Sequence, residues 1–284
     1  MLKQELTEKL SAQLISCAQG EHYNMVDTLI HPQAIIEDGA IIGDNVKIGP
    51  WTYVAANVII GDDCEISSHV VINGPTKIGK GNRIFQFASI GEDCQDLKYA
   101  GELTELVIGD NNTFRENCTV HRGTIQDHSL TKIGNNNLFM AYTHVAHDCM
   151  IGSNCILANG ASIAGHVHVG DHVIIGGMAG VHQFCHIGDH SFVAANSLIL
   201  KDVPPYVMAS GQPAKPFGLN SEGLKRRGFD KNVILQIKRA YKLVYRQGLT
   251  VDGAIAKISE MKHNMTELDT FTDFIRHSSR GIIR

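Results

Sequence analysis

A period of six residues running through most of the chain predicts a mainly β protein: a parallel β-helix followed by a small α-helical domain. Two unbroken runs of large apolar residues at that spacing carry the first half of this reading. A switch to helical patterning after the boundary DVPPY carries the second. The chain divides into an N-terminal extension over 1–24, the coil over 25–205 and a helical domain over 206–284.

In the extension, Leu2, Leu6, Leu10 and Leu14 stand four apart, which suits a short amphipathic helix; an upstream start codon is the other reading of this segment. The first hexad run is Ile36, Ile42, Ile48, Val54, Ile60, Ile66, Ile72, Ile78, Ile84 and Ile90, and its phase continues through Ile108, Phe114 and Val120. The phase then slips by one residue. A second run holds from Ile133, Phe139, Val145 and Ile151 to Ile187, Val193 and Ile199. Neither a helical period of 3.6 nor a strand period of 2 yields a strict six. A short strand and a turn per unit do, with one large side chain inward. Three such units close a triangular coil, and coils stack at the strand spacing of about 4.8 Å.

The position two before each large residue is mostly small and faces inward. Cys64, Cys118, Cys149, Cys155 and Cys185 fall there and read as packing residues. No Cys-x-x-Cys pair exists, so neither a structural zinc nor a redox motif is indicated. Two segments interrupt the coil, EDCQDLKYAGELTEL at about 92–106 and RGTIQDHSLT at about 122–131. Long loops leaving a regular scaffold are where function concentrates. After the double proline, four segments read as helices. The second carries an apolar stripe of Val233, Ile234, Ile237, Tyr241 and Val244, and Asp230, Thr250 and Thr266 are expected N-caps.

Composition narrows the function class. The 284 residues are 43% hydrophobic and 19% charged, with a net charge of −4, which gives no general reason to expect nucleic acid. No stretch reads as a signal peptide, and no run of apolar residues is long enough to span a membrane, so a cytoplasmic protein is expected.

Fifteen histidines are the conspicuous chemistry. In AYTHVAHDCMIG, His144 and His147 stand three apart, but on a coil turn rather than a helix, so helical metal-ligand spacing does not apply. His147 occupies the second position after Val145. One coil on, the same row holds Gly165, and the next coil holds Gln183, with His166 and His182 beside them. His147, His166 and His182 therefore gather at one edge of successive coils. Such a cluster suits general-base chemistry, in which an imidazole takes a proton from a nucleophile near neutral pH. A metal reading survives only if neighbouring chains supply ligands. Strand alternation sends Asp148 to the face opposite His147, leaving it to orient an imidazole of another coil or, as expected here, to be solvated.

The segments QFASIGEDCQDLKYAGE, TVHRGT, HVAHDC, ILANGASIAGHV, IIGGMAGVHQF, DVPPYV and EGLKRRGF together resemble the acyl-ACP–UDP-N-acetylglucosamine O-acyltransferases of lipid A biosynthesis over about 29–284. The resemblance implies a left-handed coil, against the usual right-handed crossover. It implies transfer of an (R)-3-hydroxyacyl chain from acyl carrier protein to the 3-hydroxyl of UDP-N-acetylglucosamine. It further implies a homotrimer with sites between subunits, and no metal or other cofactor. Carried over to this sequence, His147 is the general base, and the Gly165 amide stabilises the oxyanion. Asp96, Lys98 and His121 hold the sugar or acyl portion. His144, His166, His182 and Gln183 line the cleft, and Asn220, Glu222, Arg226 and Arg227 bind the nucleotide and its phosphates. Ala195, in a row with Asn159 and Gly177, closes the acyl groove, with Pro213 near it. The basic helix face of Lys238, Arg239, Lys242 and Arg246 is a match for an acidic carrier protein. The 24-residue extension departs from the family pattern. Three other readings are weighed against this one. The N-acyltransferase of the next acylation needs a separate N-terminal uridine-binding domain. A γ-class carbonic anhydrase-like zinc enzyme shares the coil. An ice-ordering solenoid would show flat threonine arrays.

Overall fold

The computed structural model describes residues 29–261 and 265–284. The expected helix over the leucines of the extension lies outside them. Within them the hexads form a left-handed parallel β-helix. Its strands are mostly two residues long and fall in turn on three flat sheets. The first sheet runs from Ile35–Ile36 to Leu198–Ile199, the second from Ile41–Ile42 to His186–Ile187, and the third begins at Lys47–Ile48. Each large hexad residue pairs in register with its counterpart one coil on, as Ile36 with Val54 and Val145 with Ile163. These residues fill the interior; Ile60, Ile72, Ile90, Leu157 and Ile175 are fully buried. Each is worth about 1.5–3 kcal/mol relative to exposure.

The corners explain how so tight a coil closes. At most bends one residue adopts a left-handed backbone: Asn111, Asn136 and Asn154 between the second and third sheets, Asp148, His166 and Phe184 between the first and second. Asn and Asp tolerate that conformation better than most residues.

Both interruptions are insertions at the corner between the first and second sheets, between the strands Ser89–Glu92 and Glu105–Ile108 and between Thr119–His121 and Leu130–Ile133. Inside the coil beside them, Phe114 stacks on Phe139 with ring centroids 4.6 Å apart. The five cysteines expected in the small inward slot are all buried. On the third sheet, three successive coils between Cys64 and Cys155 fill that slot with a ladder of buried amides. Asn82 Oδ1 accepts the Asn112 N–H at 2.9 Å, Asn112 Oδ1 accepts the Asn137 N–H at 2.9 Å, and Asn137 Oδ1 accepts the Cys155 N–H at 2.7 Å.

The chain leaves the coil through a hairpin, Val207–Gly211 with Ala214–Leu219, which extends the third sheet. Helices α1 (Ser221–Arg226), α2 (Lys231–Tyr245), α3 (Val251–Glu260) and α4 (Thr266–His277) follow. Asp230 and Thr250 cap α2 and α3 as expected, each side chain accepting a first-turn N–H. Thr266 does not cap: it is already the first residue of α4, and Met265 takes the cap position without a side-chain bond. Ile234, Ile237, Tyr241 and Val244 of the expected stripe are buried, and Val233 is half-buried against them. Among the described residues no helix is long and apolar enough to cross a membrane.

Candidate active site

A cleft of about 700 Å³ opens on the outer face of the first sheet, where the first loop overhangs it. Its walls include Asp96, Lys98, His121, His144, His147, Gly165, His182 and Gln183, eight residues expected from the sequence.

His147 is the best equipped of these for proton transfer. Its Nδ1 lies 2.8 Å from Asp148 Oδ2. Asp148 is fully buried, which corrects the expectation of a solvated carboxylate. The reason is local. At φ 56° Asp148 is a corner residue, not an extended one, so strand alternation does not apply and its side chain turns under the His147 ring. The Asp148 carboxylate also accepts the Thr124 N–H, at 2.9 and 3.0 Å to its two oxygens, and the Thr124 hydroxyl at 2.6 Å. Burial alone would raise its pKa, but the bonds from His147 and Thr124 outweigh it and hold the carboxyl below its ordinary value. An ionised carboxylate only accepts, so His147 Nδ1 carries the ring proton and Nε2 is left as the basic nitrogen.

Nε2 faces Gly165. A Cβ at residue 165 would stand 2.6 Å from His147 Cε1 and 2.7 Å from Nε2, so only glycine leaves room for the ring. The Gly165 amide donates to no group among the described residues, which leaves it free for an oxyanion beside the base.

His121 and His144 line the same cleft, edge to face at 4.9 Å. His144 Nδ1 is 2.7 Å from the Thr119 hydroxyl. Burial, then the proximity of His144, pushes the His121 pKa down to about 4; burial, then His147, lowers that of His144. Both are neutral near pH 7.

His166 departs from expectation. It is not among the walls of the cleft, because its corner backbone (φ 60°) turns the ring away, where it stacks on Phe184 and bonds Asp127 Oδ2 through Nδ1 at 2.8 Å. Nitrogen and oxygen atoms of His147, Asp148 and His166 lie within 4.8 Å of one another, close enough to consider a metal ion. Each Nδ1 is already committed to a carboxylate, however, which is the arrangement of an oriented base.

A second hollow, about 310 Å³, opens on the outer face of the third sheet. It lies between Ile174, Phe192 and Met208 and the start of α1, and Asn220, Glu222 and Arg226 line it. Asn220 is partly structural: its Oδ1 caps α1 through the Gly223 N–H at 3.1 Å and its Nδ2 donates to the His190 carbonyl at 2.9 Å. Arg227 does not share this hollow. It is the C-cap of α1, and its side chain runs back to the coil, where Nη2 donates to the His172 carbonyl at 2.8 Å. Consecutive residues at a helix end diverge, so the two arginines cannot face one ligand alike. Ala195 is exposed at a corner and walls neither hollow. Lys238, Arg239, Lys242 and Arg246 are all exposed on the outer side of α2.

A hexapeptide coil bearing a carboxylate-oriented histidine in a cleft defines an acyltransferase of the hexapeptide-repeat class. Residues 27–56, 39–74, 130–165 and 166–201 match the bacterial transferase hexapeptide model, and residues 202–283 match domain 2 of the UDP-N-acetylglucosamine O-acyltransferases. Solved structures agree over nearly the whole chain. The LpxA protein of Acinetobacter baumannii is 53% identical, with a TM-score of 0.88 over 90% of this chain and 100% of that one. The UDP-N-acetylglucosamine O-acyltransferase of Moraxella catarrhalis is 51% identical with the same coverage and TM-score. The Arabidopsis UDP-N-acetylglucosamine acyltransferase is 33% identical, with a TM-score of 0.80 over 90% of this chain. The chain belongs to the UDP-N-acetylglucosamine O-acyltransferase family, and the zinc-enzyme alternative is not favoured.

Proposed function

We propose that this enzyme moves an (R)-3-hydroxyacyl chain from acyl carrier protein to the 3-hydroxyl of UDP-N-acetylglucosamine, the first step of lipid A biosynthesis, in the cytoplasm. The observation that carries the mechanism is His147 held between Asp148 and Gly165. Nε2 takes the proton of the sugar hydroxyl as its oxygen attacks the thioester carbonyl. The Gly165 N–H stabilises the oxyanion, and Asp148 the imidazolium. Collapse expels the carrier thiolate, which recovers the proton from His147.

Asp96, Lys98 and His121 hold the sugar end, and Glu222 and Arg226 the nucleotide, with the Arg226 fork suited to phosphate. These two groups lie on different faces of one chain, the first sheet and the third. One substrate can reach both only if a second copy presents its third sheet to the first sheet of its neighbour, and three copies close such a ring. The corner between those two sheets supports this reading, because it carries exposed Trp51, Phe87, Tyr142 and Met178. Lys238, Arg239, Lys242 and Arg246 receive the acidic carrier. Ala195 closes the acyl groove across the subunit boundary.

Mass spectrometry of the product from UDP-N-acetylglucosamine and a panel of 3-hydroxyacyl carrier proteins tests the reaction. A product acylated on nitrogen, or none, would sink it. In the same panel Ala195→Met is expected to shift preference to shorter chains, since a hydrophobic slot discriminates by about 1–3 kcal/mol per methylene. Unchanged profiles would place the end of the groove elsewhere.

A further inference from the structure

The first loop presents Asp96, Leu97 and Lys98 to the cleft, yet its own bonds are short-range. The Lys98 N–H donates to Asp96 at 2.9 Å, and the Ala100 N–H to Glu102 at 2.9 Å. Leu97 is wholly exposed. What ties this loop to the coil is Arg122, at the start of the second loop. Its side chain is buried. Nη1 donates to the Gly91 carbonyl, and Nη2 donates to the Asp93 carboxylate and, at 3.3 Å, to the Tyr99 hydroxyl. Tyr99 in turn donates to Asp93 at 2.9 Å and lies 3.1 Å from the Glu102 carbonyl. The Arg122 backbone N–H donates to the Glu92 carbonyl at 3.0 Å. The root, the near side and the middle of the first loop thus converge on one residue.

Two residues further on, Thr124 is fastened to Asp148 by both its amide and its hydroxyl. A path of hydrogen bonds and two peptide links therefore runs from His147 Nδ1 through Asp148, Thr124 and Arg122 to Asp93 and Tyr99. It joins the base to the loop across the cleft.

We propose that Arg122 is a positioning residue. It touches no substrate but sets the height of the first loop, so that Asp96 and Lys98 stand at a fixed distance from His147 Nε2. This rests on the assignment of Asp96 to substrate binding made above. The chemistry requires arginine rather than lysine, because a planar fork can serve a carbonyl, a carboxylate and a hydroxyl at once and an ammonium on a flexible stem cannot hold all three in one plane. Burial adds to the constraint, since a buried cation is tolerated only while its partners stay in place.

The test is steady-state kinetics with UDP-N-acetylglucosamine varied, on full-length Arg122→Lys, Tyr99→Phe, Asp96→Ala and the double variant Arg122→Lys/Asp96→Ala, with the thermal midpoint of each. Arg122→Lys and Tyr99→Phe are expected to raise KM about tenfold, the size of one charge-assisted hydrogen bond, while kcat stays within about threefold. The double variant is expected to bind no worse than Asp96→Ala alone, because both changes act through the same contact. Additive losses, or a lowered thermal midpoint with KM unmoved, would show a purely structural arginine. Should Arg122→Lys fail to fold, Tyr99→Phe carries the same test from the loop side. If Asp96→Ala itself leaves KM unmoved, the assignment of Asp96 falls and the coupling with it, an outcome distinct from additivity.

Discussion

His147 owes its protonation pattern to a neighbour in sequence that the alternation of a strand would place on the wrong side. Asp148→Asn is expected to lower kcat by about 10²–10⁴-fold, because the carboxylate that fixes the tautomer and supports the imidazolium is lost. His147→Ala should fall to the same floor while the circular dichroism spectrum stays that of the β-helix; near-normal turnover by His147→Ala would remove it from the role of base. Two other histidines carry a pH dependence of stability. His121 and His190 both have pKa values pushed down to about 4, chiefly by burial. The unfolded chain, with ordinary histidines near 6.5, binds more protons between those values. Stability is therefore full above pH 6.5 and falls as pH drops from 6.5 toward 4, by up to about 1.4 kcal/mol per unit for each group. His190→Phe, whose ring can still stack on His172 and meet Phe229 edge to face, should remove about half of that slope in denaturant melts at a series of pH values. An unchanged slope would mean that His190 is protonated in the fold.

The hexad made the strands legible almost residue by residue, because one large inward side chain per unit is a pattern nothing else produces. It also concealed something. The first loop leaves the phase of the aliphatics unbroken between Ile90 and Ile108, since an insertion of two hexads' length is silent to a period of six; only its polar composition betrays it. The second loop has no such luck with its length and announces itself as a slip. The amide ladder of Asn82, Asn112 and Asn137 was equally hidden, since asparagine in an inward slot reads as an exception until its partners are seen one coil away. Of the candidate site, the row positions of His147, Gly165 and Gln183 were readable from coil arithmetic. Asp148, Thr124 and the turned-away His166 and Arg227 were not, because corner and cap conformations decide where those side chains go. The ladder yields a stability prediction. Asn112→Ala strands the buried N–H of Asn137 and the Gly134 carbonyl, so it should destabilise by about 2–5 kcal/mol. Urea denaturation would measure it, and a loss under about 1 kcal/mol would show that water replaces the amide.

At the scale of the whole molecule, a solenoid has no closed core, and each coil leans on the next. Its two open problems are the coil ends and the outer faces. The helical domain answers the first at one end: Ile282, beyond the last helix, forms an isolated bridge with Asp202, and Arg284 donates to the Val244 and Leu249 carbonyls, both at 2.9 Å. In the ring of three copies proposed above, association answers the outer faces. The corner between the first and third sheets has a spectroscopic consequence. Trp51, the single tryptophan of the sequence, is 56% exposed on that corner and lies 4.8 Å from the His69 ring. The indole is thus a built-in reporter of whether copies have met. In the ring of three proposed above it is dehydrated, and its emission stands to the blue; as the protein is diluted toward dissociation the emission moves to the red, in step with the loss of activity. Emission that is red at every concentration, in a protein that sediments as a trimer, would mean that the copies join along some other edge.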